Sequence, residues 1–171
     1  MPAGAVHRVH GALIRISVDN PSYVKEDPNL AGELGIGVPK AVSGLAILDT
    51  GATHSCVVVG VAEQLSLLLL NAVEFRGVRS GSDAEGAAPQ FTRLRYGLLR
   101  IEGVSQSFAT QLAEIQPLGS VDDEPIIALL GRDVLNAGKL HWDGPGRAFH
   151  LEFPHSAPSE RNSLPGPASE P

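Results

Sequence analysis

Cysteine is almost absent: Cys56 stands alone in a chain of 171 residues, which excludes an internal disulfide and fits a reducing compartment. Basic charge is scarce as well. The 13 Lys and Arg are outnumbered by 19 Asp and Glu, for a net charge of -6, and no basic stretch offers the phosphate-neutralising surface that nucleic-acid binding needs. Long hydrophobic runs are missing too. The longest, Leu65 to Leu70, is interrupted by Ser66 and is far too short to span a bilayer. The first residues, Met1 to Val9, carry no apolar segment of the secretory kind. These absences predict a soluble, cytoplasmic protein with neither nucleic acid nor membrane among its partners.

What is present reads as one folded domain. Hydrophobic residues make up 43% and charged ones 19%, a globular balance, and the length suffices to bury a core. With 19 Gly and 13 Pro, the chain favours many short strands and turns over a helix bundle, hence an all-β class. The most informative stretch is Ala46-Ile47-Leu48-Asp49-Thr50-Gly51-Ala52-Thr53. Leu45 to Leu48 read as a strand buried on both faces, because they form a continuous apolar run ahead of a turn signal. Gly51 relieves the steric limit on φ and lets another backbone pass close by. The Thr50 hydroxyl is able to bond backbone groups and lock the turn. An aspartate delivered to that place is poorly solvated and well positioned, the setting in which carboxylates work as acids or bases. An ordinary Asp-x-Gly turn closing a hairpin explains the tripeptide alone equally well.

Elsewhere the chain reads as strands and loops. Val6 to Val18 alternates in its later part and predicts a strand, ended by Asn20-Pro21 because proline cannot continue a ladder. His7 and His10 fall on opposite faces of that strand, which argues against a metal site. Residues 21–40 are rich in Gly and Pro and read as a long loop. Ser55 to Val59 is strand-like, and Gly60 to Leu69 predicts a short helix with Val61, Leu65, Leu68 and Leu69 on one face. Val73 to Arg79 and Gln90 to Ile101 form a long hairpin around a Gly-rich tip. Gly103 to Ile115 predicts a strand and Gln116 to Glu124 an acidic loop. Asp143-Gly144-Pro145-Gly146 is a strong hairpin turn signal. Cys56 reads as a buried small residue and not a nucleophile, and Trp142 as core or interface packing. Residues 154–171 are Pro-, Ser- and Glu-rich and predict disorder after a domain over 1–153.

A second apolar stretch matters as much as the first: Pro125-Ile126-Ile127-Ala128-Leu129-Leu130-Gly131-Arg132-Asp133-Val134-Leu135. It is another buried strand ending in glycine, then a short helix opening on an Arg-Asp pair. With Ala46 to Thr53, it resembles the retropepsin family, the retroviral-type aspartic proteases. That family pairs an apolar-apolar-Asp-Thr/Ser-Gly-Ala loop with a later apolar strand running into Gly-Arg-Asn/Asp and a helix. The resemblance covers residues 8 to 153 and is closest to single-domain bacterial members, whose helix is followed by a hairpin like Lys139 to Phe153. It implies a single-domain retropepsin-like acid protease fold, closed and barrel-like, with one or two short helices.

The resemblance also implies chemistry. Peptide hydrolysis by this route needs two carboxylates sharing one proton, one acting on a water and the other on the scissile carbonyl and leaving amine. The chain carries one Asp-Thr-Gly and is too short for two lobes, so a dyad requires Asp49 from each of two chains and therefore a homodimer. Thr50 would donate across the dimer axis and Gly51 would meet substrate main chain. Ala52, Thr53 and His54 would line the cleft floor, and Ile127 and Leu129 would wall its pockets. Arg79, Ser80 and Gly81 would belong to a flap closing over bound peptide. Gly131, Arg132 and Asp133 would be structural. No metal or organic cofactor is implied. One departure stands out: where the family has an acidic partner for Arg132, this chain has Thr53, leaving Asp133 or a solvent-facing group as a substitute. An aspartic endopeptidase acting on peptides or proteins is the first expectation. A dimeric peptide-binding module of the same fold with little or no turnover is the alternative. A structural domain in which Asp49 merely closes a turn is a third.

Overall fold

Apolar runs and turn signals resolve into strands β1 (Ala3–His7), β2 (Gly11–Asp19), β3 (Val42–Leu48), β4 (Cys56–Val58), β5 (Leu68–Phe75), β6 (Gln90–Ile101), β7 (Ser107–Ile115), β8 (Ser120–Val121), β9 (Glu124–Leu130), β10 (Lys139–Asp143) and β11 (Ala148–Glu152). Among the described residues, two short helices, α1 (Val59–Gln64) and α2 (Arg132–Leu135), accompany them. The computed structural model describes residues 3–7, 10–21, 39–75 and 90–154. Most of the predicted 21–40 loop, the hairpin tip with Arg79, Ser80 and Gly81, and the tail from residue 155 lie outside the described residues. The class is all-β, as composition and turn content predict.

Six strands close on themselves in the order β2-β3-β9-β4-β7-β6, with β6 returning to β2. A closed sheet leaves no free edge within the ring. Two of its pairings are parallel, β3 with β9 and β4 with β7. The β3–β9 pairing sets two apolar runs side by side, the usual content of parallel strands, whereas β4 meets β7 at Ala113 to Ile115, with Val57 opposite Glu114. β1, β11 and β10 extend the sheet from β2, and β5 lies outside β6. Ile14, Ile16 and Val18 of β2 alternate inward to meet Ala46, Val57, Leu99, Ile101, Leu112, Ala128 and Leu130. Val61 and Leu65 of α1 and Val134 and Leu135 of α2 complete the same core, together with Phe149 and Leu151 of β11. Each large side chain fully buried there contributes about 1.5–3 kcal/mol by leaving water.

Several expectations shift. The predicted strand from Val6 to Val18 is two strands, because Gly11 adopts φ +76° and turns the chain. That turn brings the His7 and His10 rings into a stack, centroids 5.2 Å apart, instead of onto opposite faces. Helix α1 ends at Gln64, and Leu68 and Leu69 belong to β5, where they are exposed. Asn20, read only as a strand terminator, is buried and donates its side-chain amide to the Leu65 and Ser66 carbonyls, both at 3.0 Å. Those carbonyls follow the end of α1 and would otherwise be orphaned. Trp142 is exposed and stacks on Phe149 at 6.5 Å, so it is not core. The Asp143 to Gly146 turn forms as predicted, with Asp143 Oδ1 accepting the Gly146 N–H at 3.0 Å.

Candidate active site

Asp49 leaves the C-terminal end of β3 at the point where β9 ends beside it. The parallel register pairs Leu48 with Leu130, and the Asp49 N–H donates to the Leu130 carbonyl at 3.0 Å. The two chains thus exit the barrel together, Asp49 on one and Gly131 on the other. The Asp49 side chain is half-buried and folds back over its own loop: Oδ1 accepts the Gly51 N–H at 2.9 Å and the Ala52 N–H at 3.2 Å. No protein donor meets Oδ2 among the described residues. One oxygen is fixed by the backbone and the other is left for whatever enters.

This arrangement reassigns two roles. The carboxylate of Asp49, not the Thr50 hydroxyl, locks the turn; Thr50 is exposed and its hydroxyl has no partner among the described residues. Gly51 is not in the left-handed region. Its requirement is proximity, since a Cβ there would lie 3.1 Å from Asp49 Oδ1.

The loop after Asp49 is sewn to the start of α2. Arg132 N–H donates to the Ala52 carbonyl at 3.0 Å and Asp133 N–H to the Thr53 carbonyl at 3.3 Å. Ser55, fully buried, accepts the Gly131 N–H on its Oγ at 3.0 Å and donates that hydroxyl to Asp133 Oδ1 at 2.7 Å. The Ser55 N–H reaches the same oxygen at 2.9 Å, and Thr110 of β7 donates its hydroxyl to Asp133 Oδ2 at 3.0 Å. Asp133 therefore ties the Asp49 loop, α2 and β7 into one body through charge-assisted bonds, the stronger kind. Ser55 and Thr110 escaped sequence analysis. The available signal was a lone buried hydroxyl, Ser55, at the head of an apolar strand, which burial obliges to find partners.

The remaining sequence candidates distribute unevenly. Ala52, Thr53 and His54 follow Asp49 on the same loop, Thr53 and His54 exposed. Leu129 is half-buried near the end of β9, whereas Ile127 is turned into the core, with its Cγ2 2.9 Å from where a Cβ on Gly44 would sit. Arg132 is exposed and donates Nη2 to Thr53 Oγ1 at 3.0 Å. So the arginine does turn to the place where an acid was expected, and finds a neutral hydroxyl there. No cluster of three or more His, Cys, Asp or Glu is placed to hold a metal ion among the described residues. No described helix is long and apolar enough to cross a membrane.

Cys56 follows directly on this network and is buried. Burial pushes its thiol up to about 11, aided by the negative charges of Asp133 and Asp49. A thiol so far above neutrality holds almost no thiolate and is a poor nucleophile. Native protein at pH 7.5 should leave iodoacetamide unreacted over hours and take up one equivalent on denaturation. Rapid labelling of the native chain, read by mass spectrometry, would contradict this.

The chain matches no family model and no curated protein. Among solved structures, it is similar to the crystal structure of a retropepsin-like aspartic protease from Rickettsia conorii, at 16% sequence identity and a TM-score of 0.49 over 88% of each chain. Any functional conclusion therefore stands on the residues of this chain.

Proposed function

We propose that the chain is an aspartic endopeptidase of the retropepsin type, active as a homodimer. The observation that carries this is the Asp49 carboxylate at the shared end of two parallel strands, with Oδ1 clamped by two backbone N–H groups and Oδ2 meeting no protein donor among the described residues. A carboxylate oriented by its own loop needs no reorganisation to act on a water. A second carboxylate is required to hold the shared proton and to hydrogen-bond the scissile carbonyl. One chain supplies only one Asp-Thr-Gly, so a second copy supplies the other across a two-fold axis. The exposed Thr50 hydroxyl is free to donate to that copy. An extended peptide would run over Gly51, Ala52, Thr53 and His54 with Leu129 beside it. Ile127 would act from beneath, as packing. The buried free thiol suits a reducing compartment such as the cytoplasm.

The test is cleavage of a diverse peptide pool, assayed at several values from about pH 4 to pH 7. Products should appear, and specific activity should fall as the protein is diluted, because a monomer has half a site. Peptide binding without product, from a protein shown to be folded and dimeric, would refute the peptidase and favour a binding module. Specific activity independent of concentration, from a demonstrated monomer, would refute the shared dyad.

A further inference from the structure

The geometry points to Arg132 as a specificity-determining residue that selects peptides bearing a carboxylate beside the scissile region. The proposal deepens, and rests on, the assignment of the Asp49 loop as the floor of a peptide cleft. The arginines of the barrel strands each reach an acid: Arg15 meets Glu124 at 2.7 Å, Arg93 and Arg95 meet Glu114 at 4.0 and 2.7 Å, and Arg100 meets Asp19 at 2.7 Å. Arg132 does not. Among the described residues its guanidinium has one side-chain partner, the neutral Thr53 hydroxyl at 3.0 Å.

Its neighbour Asp133 is no help. Asp133 Oδ1 already accepts from the Ser55 N–H and hydroxyl, and Oδ2 accepts from Thr110, at 2.7 to 3.0 Å. These bonds hold that carboxylate toward β7, and no ion pair links it to Arg132. The result is an exposed cation with most of its five N–H donors unused. It is steered by Thr53 and fixed at its backbone, since Arg132 N–H is bonded to Ala52 three residues after Asp49. A planar fork held by one tether is preorganised to take a carboxylate side-on, so less side-chain entropy is lost on binding. In a chain of net charge -6, that local cation also offsets the general repulsion an acidic peptide meets on approach. A carboxylate can come from a Glu or Asp side chain or from the peptide's own C-terminus, and the two sources separate experimentally.

The experiment uses fluorescent decapeptides in which Glu or Gln is moved one position at a time, each made with a free or amidated C-terminus. Equilibrium binding is measured on Asp49→Asn, which traps peptide, and kcat/KM on the wild-type chain. At one position, or at the free terminus, the carboxylate form should be preferred about fivefold at low salt, and less in high salt. The preference should fall to about one in Arg132→Gln. It should also fall in Thr53→Asp, which gives Arg132 an internal acid while keeping the arginine. No preference at any position, or one that survives both substitutions, overturns the proposal. So does an Arg132→Gln effect confined to the dimer dissociation constant, which would mean that the partner chain's acids pair with Arg132. Failure of cleavage with every peptide, alongside intact carboxylate selection in binding, would sink the peptidase and leave the Arg132 assignment standing. Absence of any peptide binding would sink both.

Discussion

Asp49→Asn is expected to lower peptide cleavage by about 10³-fold or more while leaving the melting temperature within about 2 °C of wild type. Asparagine is isosteric with aspartate, and its amide oxygen can still accept the Gly51 and Ala52 N–H groups that now meet Oδ1. The loop therefore keeps its shape. What changes is the other atom, where an oxygen able to take a proton from water becomes an NH2 that cannot. Mixing adds a sharper test of the shared site. If both chains contribute Asp49, subunits exchanged between wild type and Asp49→Asn give activity that follows the square of the wild-type fraction. A linear dependence would mean that each chain works alone. Undiminished cleavage by the variant would leave Asp49 as a turn residue only, and a melting temperature lowered by ten degrees or more would mean that its charge is structural.

The positions of Asp49 and Gly131 were visible in the sequence because each ends an unbroken apolar run, and such a run facing a turn signal has few other foldings. Pairing these runs in parallel, with Leu48 beside Leu130, is a tertiary event that no local pattern encodes. The same holds for the Ser55–Asp133–Thr110 network, whose members lie 78 and 23 residues apart. A serine ahead of an apolar strand is compatible with many environments until the strand it faces is known. Local ambiguity explains the rest. Leu65 to Leu70 suits a helix face as well as a strand, and the structure ends the helix at Gln64, with Asn20 bonding the carbonyls of the turn beyond. Thr53 in place of an acid was plain in the sequence; that Arg132 would still turn to it was not, because a guanidinium can donate to a neutral hydroxyl as well as to a carboxylate, and the local pattern does not say which lies within reach.

Gly131→Ala should be the most damaging substitution per atom added. The glycine sits at φ -88° and ψ -177°, an extended backbone open to any residue, so its necessity is steric and not conformational. A Cβ there would lie 2.5 Å from the His54 carbonyl carbon, 2.6 Å from its oxygen and 2.8 Å from the Ser55 nitrogen. All three are backbone atoms of the loop that carries Asp49, and that loop is pinned by the Ser55 and Asp133 bonds. No flexible side chain is there to swing away. Either the loop moves and the Gly131 N–H loses Ser55 Oγ, or β9 moves and the core around Leu130 opens. Overpacking against backbone of this kind costs about 3 kcal/mol, which for a domain of this size lowers the melting temperature by about 6–12 °C. Cleavage should fall further than stability does, because an ångström of displacement at Asp49 disrupts the paired geometry even in molecules that remain folded. Gly60→Ala provides the internal comparison. It adds the same methyl within α1, where a Cβ meets nothing within 4 Å, and should raise stability by about 0.5–1 kcal/mol through helix propensity and a less flexible unfolded chain. Equal behaviour of the two variants in thermal melts would show that the crossing of Gly131 beneath His54 and Ser55 is not what holds the Asp49 loop in place.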